Sequence, residues 1–330
     1  MGPFFVPLRG FLSLLSGVVR YLVTGGAGFI GSHLVFRLLE RGESVRVLDD
    51  LSTGRMENLT QVLETVEWVK GDIRDPASVL DAAQGVDVIL HHAALPSVER
   101  STERPQETNA VNVLGSLNVL EAARKCGARR VVCAASSSVY GDSEALPKGE
   151  DLPSRPLSPY AASKAAGEMY CTAYYRTFGL ETVSLRYFNV FGPRQDPLSP
   201  YAAVVPRFIQ ALLSGQSPTI FGDGEQTRDF TYVGNAVEAC LKAVEAPDAA
   251  GEVFNVACGA RSSVNQLLAH LNTIMGSTIP AAYVEARPGD VKHSQADITK
   301  AKRVLDYEPK VDLLSGLRQT VEWFCSKAAG

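Results

Sequence analysis

With 330 residues, 45% of them hydrophobic and 21% charged, the chain is long enough for one large or two interlocked α/β units and has the profile of an ordinary soluble globular protein, not of a disordered one. Its 32 Lys plus Arg against 36 Asp plus Glu give a formal net charge of -4, and the absence of a basic tract or interleaved aromatic stripe argues against a nucleic-acid partner. Six scattered cysteines, with no Cys-x-x-Cys pair and no matching His cluster, read as reduced cytoplasmic thiols and predict no metal site.

Phe4 to Val19 is apolar, with Arg9 ahead of Phe11 to Leu15, but Pro3, Pro7, Arg9 and Gly17 interrupt it and it runs directly into the first core strand. A short extra N-terminal helix packed on the body is expected there, not a cleaved leader or a membrane span. Tyr21 to Thr24, Ser44 to Asp49, Val66 to Val69, Val86 to His91 and Arg129 to Ala135 then read as strands separated by helical stretches, and Glu181 to Tyr187 as a further strand of the same sheet. That alternation predicts a Rossmann-type doubly wound parallel sheet with helices on both faces. After Phe191 the pattern is broken by Pro193, Pro197, Pro200, Pro206 and Pro218. The expected division is a dinucleotide-binding domain over 1–186, to which the chain returns around 230–258, and a smaller interwoven α/β substrate domain over 187–330. No repeat or low-complexity linker separates the two.

Between the first strand and a helix beginning near Gly28 lies Thr24-Gly25-Gly26-Ala27-Gly28-Phe29-Ile30-Gly31. Gly25, Gly28 and Gly31 form Gly-x-x-Gly-x-x-Gly, whose missing side chains let the backbone and the helix N-terminus, at Phe29 and Ile30, approach a pyrophosphate. The next strand ends at Asp49-Asp50, where a carboxylate can accept hydrogen bonds from an adenosine ribose and would repel a 2'-phosphate. NAD is therefore expected over NADP, with Arg46 and Arg55 as the residues able to reverse that choice. Asp72 and Ile73, after the third strand, would flank an adenine ring. His91 and His92 end the fourth strand without a third ligand at suitable spacing, so they read as packing or backbone-bonding groups. Asn112, inside a predicted helix, is placed on the cofactor side, bonding main chain near the active site.

Ser158-Pro159-Tyr160-Ala161-Ala162-Ser163-Lys164 puts a phenol and an ammonium one helical turn apart, on one face. In this spacing the Lys164 charge would lie near the Tyr160 phenol and favour its ionised form, which a free tyrosine, with a pKa of about 10, does not reach at neutral pH. Ser136 to Gly141 supplies hydroxyls ahead of the pair. With the glycine motif, Asp49, Asp72, Ser136, Tyr160 and Lys164 in this order, together with Arg186 to Asn189, Arg228 to Phe230 and Arg287 to Asp290, the chain resembles the extended short-chain dehydrogenase/reductase family, and within it the nucleotide-sugar 4-epimerases.

The resemblance implies bound NAD, a UDP-sugar substrate and a homodimer joined through a four-helix bundle, built here from the helix beginning near Pro105 and the one carrying Tyr160. It implies Ser136 as the hydroxyl bonded to the reacting oxygen, Tyr160 as proton acceptor and donor, and Lys164 as the residue that tunes Tyr160 and binds the nicotinamide ribose. Arg228 and Arg287 would grip the diphosphate, Asn189 the phosphates or sugar, Phe221 the uracil and Asp290 the uridine ribose. Only hydroxyls occupy Ser136-Ser137-Ser138, where relatives that dehydrate or decarboxylate the sugar carry an acid, which leaves epimerisation. Ser294 falls where epimerases that exclude N-acetyl sugars carry a tyrosine. With Gln195, Ser137 and Ser138 it points to UDP-GlcNAc and UDP-GalNAc. UDP-glucose and UDP-uronic acids remain alternatives, the latter with Arg194, Arg100 or Lys292 as the extra cation, as do a net oxidoreductase and a non-enzymatic NAD-binding regulator.

Overall fold

The computed structural model describes residues 18–199, 201–286 and 291–328. The helix expected near the N-terminus lies outside them, as do Arg287 and Asp290. Seven strands form one parallel sheet: β1 (Arg20–Thr24), β2 (Ser44–Asp49), β3 (Glu67–Lys70), β4 (Val88–His91), β5 (Arg130–Ser136), β6 (Glu181–Tyr187) and β7 (Val253–Val256). Their order is β7-β6-β5-β4-β1-β2-β3. The chain leaves β1 toward β2 and β3, then crosses back to β4 and proceeds to the other edge. The direction of winding reverses between β1 and β4, and at such a switch the connecting loops part to leave a crevice at the strands' C-terminal ends.

The strands read the period-2 rule on both faces. Tyr21 and Val23 of β1 join one core and Leu22 the other, and Val132 and Val131 of β5 divide in the same way. One face is covered by α1 (Phe29–Glu40), whose Leu34, Val35 and Leu38 are fully buried. The opposite face is covered by α2 (Pro76–Ala82), by the rod of α3 (Val98–Glu103), α4 (Pro105–Asn109), a π-helical stretch Ala110–Gly115 and α5 (Ser116–Cys126), and by α6 (Pro159–Phe178). Each fully buried Leu or Val contributes about 1.5–3 kcal/mol of transfer free energy, so the two faces together supply most of the driving force. Beyond β6 come α7 (Val204–Leu213), α8 (Val233–Glu245), which joins α1 on its face, and α9 (Val264–Met275), with the short pairs Thr219–Phe221 with Ala282–Val284 and Thr227–Arg228 with Ser262–Ser263. Two helices, α10 (Thr299–Leu305) and α11 (Leu313–Ala328), complete the described chain.

The sequence pattern places the third and fourth strands one to two residues early, because Val66 and Val86 belong to the apolar run without entering the ladder. It also passes over β7, whose four residues are too few to show a period. Among the described residues no helix is long and apolar enough to cross a membrane.

Candidate active site

At the C-terminal end of β1 the chain turns through Gly25 in the left-handed region, φ 70°, and a Cβ there would lie 2.7 Å from the backbone nitrogen of Ala93. A Cβ on Gly31 would run into the Gly25 carbonyl, which fixes how closely α1 approaches the turn. Gly28 caps α1 without a side-chain hydrogen bond, and the first turn holds no acid. The N–H groups of Phe29 and Ile30 are thus left open at the positive end of the helix, as a pyrophosphate requires. Asp49, nearly buried, accepts from Ala27 N–H at 3.0 Å and Leu51 N–H at 2.8 Å. Burial pushes its carboxyl up while these two bonds pull it back, and each oxygen keeps a lone pair for a ribose hydroxyl. Asp50 accepts from Ser52 N–H. Arg46 is taken up by Glu67 and by the carbonyls of Ala82 and Gln84, and Arg55 by Asp196, so neither stands free to receive a 2'-phosphate.

Deeper in the crevice, His91 joins the cradle to the helical rod. Ser116 Oγ donates to the Asn112 carbonyl at 2.6 Å, so it receives the His91 Nε2–H at 2.9 Å, and His91 Nδ1 accepts from Thr24 Oγ1 at 2.7 Å. This fixes a neutral imidazole, and burial presses its pKa down to about 3. His92, bonded through Nε2 to the Tyr187 hydroxyl, is likewise pressed to about 3 by burial. Both histidines are structural, and no group of three or more His, Cys, Asp or Glu suited to a metal occurs among the described residues. Asp72 is paired with Arg74, while buried Ile73 packs against Gly115 of the π-helical stretch and Asn118 donates to its carbonyl. Asn112 accepts from Leu95 N–H and donates to Leu95 O and Ser163 Oγ. Both of its amide hydrogens are therefore used by protein, and its part near the cofactor is to clamp the β4 loop to α6.

Ser158 caps α6 by accepting from Ala161 N–H at 3.1 Å, and Pro159 opens the helix, so Tyr160 sits in the first turn, where the helix dipole favours negative charge. Burial raises the Tyr160 phenol above its ordinary value, and its hydrogen bond with Ser136 lowers it. Ser136 Oγ in turn accepts twice from Ser138, from the hydroxyl at 2.9 Å and from the N–H at 3.2 Å. Its own hydrogen is left to donate toward the phenol oxygen. Ser138 is consequently no free donor for a sugar, contrary to the sequence expectation, whereas no bond occupies the Ser137 hydroxyl. Lys164 Nζ donates to the Ala134 carbonyl at 2.8 Å. Burial lowers Lys164 to about 8, opposed by Cys133, Glu168 and Cys171 packed beneath it.

On the substrate side, Asn189 takes a left-handed φ of 38° and donates to the Asp229 carbonyl at 3.2 Å. Arg228 Nη1 donates to Thr227 O at 3.0 Å. Ser294 is buried and donates its N–H to Thr227 O, which places it beside Arg228. Gln195 donates to Val190 O with its Oε1 buried and unpaired, and Phe221 lies under Arg207. Of the cations proposed for a uronate, Arg194 instead stacks on Phe36 of α1, and Arg100 pairs with Glu107.

Residues 21–257 match the NAD dependent epimerase/dehydratase family. The chain belongs to that family. A UDP-glucose 4-epimerase of Mycolicibacterium smegmatis is 43% identical over 314 residues, 94% of this chain and 100% of the relative. A solved UDP-N-acetylglucosamine 4-epimerase from Methanobrevibacter ruminantium, in complex with UDP-N-acetylmuramic acid, is similar with a TM-score of 0.90 at 41% identity, over 94% of this chain and 99% of that one. The UDP-glucose 4-epimerase of Thermus thermophilus in complex with NAD gives 0.86 at 39% identity, over 93% and 99%.

Sequence reasoning gave no role to one residue of this epimerase/dehydratase fold, although it lies inside a motif of the resemblance. Asp229, fully buried, accepts from Cys258 N–H and Gly259 N–H at 3.0 Å and from Ala296 N–H at 3.2 Å, gathering three segments behind the substrate side. Burial pushes it up to about 6 against those bonds. Its only sequence signal was its position between Arg228 and Phe230.

Proposed function

We propose that this enzyme interconverts UDP-GlcNAc and UDP-GalNAc at C4, with Ser136, Tyr160 and Lys164 as its catalytic residues. The broader statement, an NAD-dependent UDP-sugar 4-epimerase and therefore an isomerase, follows from the family and from relatives at about forty per cent identity over nearly the whole chain. The observation that carries the chemistry is the Ser138–Ser136–Tyr160 line at the end of β5, in a run of three serines that itself supplies no carboxyl to assist loss of water or carbon dioxide. Bound NAD supplies the hydride acceptor for C4 and the donor that returns it. Tyr160 removes the O4 proton and restores it once the sugar has presented its other face. Ser136 donates to the oxygen that carries the charge. Lys164, anchored on Ala134, keeps two donors for the nicotinamide ribose.

Choice of the N-acetyl sugars rests on Ser294, a small residue beside Arg228, and on the unbonded Ser137 hydroxyl. The test is to incubate purified enzyme with UDP-GlcNAc, UDP-Glc and UDP-GlcNAcA, without added NAD, and follow C4 epimers by NMR. Faster turnover of UDP-GlcNAc supports the reading; preference for UDP-Glc overturns the choice of sugar while leaving the epimerase, and steady release of NADH overturns the epimerase. Ser294→Tyr should cut activity on UDP-GlcNAc far more than on UDP-Glc, and equal activity on both would remove Ser294 from selection.

In this reading the cofactor is held mainly by the first 186 residues and the return near 230–258, the UDP-sugar mainly by 187–330, and the enzyme is a cytoplasmic homodimer. Leu114 on the helical rod and Met169 and Tyr170 on α6 are exposed apolar residues on the two helices expected to pair. Burying them against a second copy is the favourable step. Sedimentation of wild type and Met169→Glu tests it.

A further inference from the structure

We propose that Asp196, in the loop that follows β6, is a specificity-determining residue for the cofactor: it holds Arg55 and so withholds from a 2'-phosphate a cation placed to receive it. The inference concerns the cofactor end of the site and is independent of which sugar is turned over.

Arg55 stands beside the carboxylate placed for the adenosine ribose. Its N–H donates to the Ala27 carbonyl at 3.0 Å, and Ala27 N–H donates in turn to Asp49 Oδ2 at 3.0 Å. One residue earlier, the chain at Gly54 passes so near that carboxylate that a Cβ would lie 2.7 Å from Oδ1 and 2.8 Å from Oδ2. Asn58 adds a bond to the Ala27 carbonyl at 2.9 Å, so the backbone that carries Arg55 is fixed against the cradle. An arginine based there is within a side chain's length of a ribose held by Asp49, and a guanidinium fork is the group that accommodates a 2'-phosphate in dinucleotide sites.

The fork is drawn away instead. Its Nη2 lies 2.7 Å from Oδ2 of Asp196, a partner 141 residues further along the chain. The other Asp196 oxygen accepts from Leu198 N–H at 2.9 Å, which fixes the carboxylate within its own turn. The loop is also tied down on both sides, by Pro193 O to His33 Nε2 of α1 at 2.9 Å and by the Tyr201 hydroxyl to Glu103 at the end of α3 at 2.6 Å. The placement of the loop therefore brings Asp196 to Arg55. Arg46 and Arg74 differ, because their acids come from nearby in the chain: Glu67 on the neighbouring strand and Asp72 two residues earlier. Of the three arginines, Arg55 alone depends on a residue beyond β6, so its availability can be changed without touching the cradle.

The Arg55 side chain is 51% exposed and that of Asp196 30%. An ion pair so exposed is worth roughly a two- to fivefold change in an equilibrium constant, and a 2'-phosphate forfeits that factor when it must displace Asp196. Removing the Asp196 charge frees the fork and removes an acid that would repel the phosphate.

Exchange of bound cofactor tests this without reference to catalysis. Full-length enzyme is equilibrated with a fixed mixture of NAD and NADP until the bound ratio is the same from either starting cofactor, then freed of unbound nucleotide and denatured, and the released dinucleotides are separated by ion exchange. Asp196→Asn keeps an oxygen for Leu198 N–H and removes the charge, and its bound NADP:NAD ratio should rise roughly two- to fivefold over wild type, with NAD still the tighter ligand because Asp49 is unchanged. Arg55→Met should give a ratio no higher than wild type, and the double variant should lose the gain. Both side chains lie at the surface, so a wild-type Tm in each variant is expected and checks the fold. An unchanged ratio in Asp196→Asn, or a gain that persists without Arg55, overturns the proposal.

Discussion

Removing the Ser138 hydroxyl should slow epimerisation through Ser136, not through the sugar. In the structure that hydroxyl gives its hydrogen to Ser136 Oγ at 2.9 Å, and Ser136 is the group bonded to the Tyr160 phenol. A hydroxyl that accepts hydrogen bonds becomes a better donor, so loss of one of two incoming bonds weakens the support for phenolate. The lost bond is neutral to neutral, worth about 0.5–1.5 kcal/mol, and Ser138→Ala should lower kcat by roughly 2- to 12-fold. Ser136→Ala removes a bond to a charged oxygen, worth about 1.5–3 kcal/mol, and should cost roughly 10- to 150-fold. Both variants move the basic form of Tyr160 to higher pH, so the rising limb of the kcat–pH profile shifts upward. The double variant should be no slower than Ser136→Ala alone, since Ser138 has nothing left to act on. Steady-state kinetics across pH on all three proteins provides the check. A Ser138→Ala enzyme with raised KM, unchanged kcat and an unshifted profile would refute the relay and make Ser138 a substrate donor.

Tyr160→Phe should reduce turnover roughly 100- to 10,000-fold while retaining bound NAD through gel filtration, and near-wild-type rates would dismiss Tyr160 as the proton carrier. Lys164→Met should shed NAD in the same experiment because two ribose donors are lost; full retention would detach the lysine from the cofactor. Arg186 makes a two-point ion pair with buried Glu168, at 2.9 and 2.8 Å, so Arg186→Met leaves an uncompensated buried carboxylate and should cost about 3–5 kcal/mol in urea unfolding, partly recovered by adding Glu168→Leu. His91, held neutral with a pKa near 3 against about 6.5 when unfolded, gives the unfolded chain the extra proton in acid. Its stabilising share is present above pH 6.5 and falls away below it by about 1.4 kcal/mol per pH unit. His91→Gln should flatten the loss of urea stability between pH 7 and 5, and an unchanged slope would count against the neutral imidazole.

The sheet was legible because its strands are β-branched runs separated by amphipathic helices, and six of the seven could be placed from that pattern. The cradle was legible for a local reason: glycines at fixed spacing, a following helix start and an acid at the end of the next strand are all read within thirty residues. What could not be read were contacts between distant segments. Nothing in the sequence near Asp229 shows that Cys258, Gly259 and Ala296 will converge on it. Nor does a run of three serines reveal that one hydroxyl bonds the next and so gives up its use as a free donor. Arg194 shows the same limit. In the sequence it sits among residues expected at the sugar, yet its guanidinium stacks on Phe36 of α1.

The Tyr160–Lys164 spacing is the instructive case, because the helical register is as expected while the lysine's anchor on the sheet is not visible in the spacing. Residues four apart share a face, but a lysine side chain is long, and the one at 164 descends to the Ala134 carbonyl among Cys133, Cys171 and Glu168. Burial raises the pKa of the phenol and the Ser136 hydroxyl opposes it. Taken alone, that balance keeps Tyr160 protonated, the form that cannot accept the O4 proton. Two favourable influences are built into the chain: the first-turn position on α6, and a Ser136 hydrogen made more acidic by Ser138. The remaining help must come with ligand binding, through charge placed beside the phenol and a reacting oxygen brought to Ser136. An enzyme arranged in this way holds its base inactive until the site is filled, which suits a reaction whose oxidised sugar must be reduced again before release.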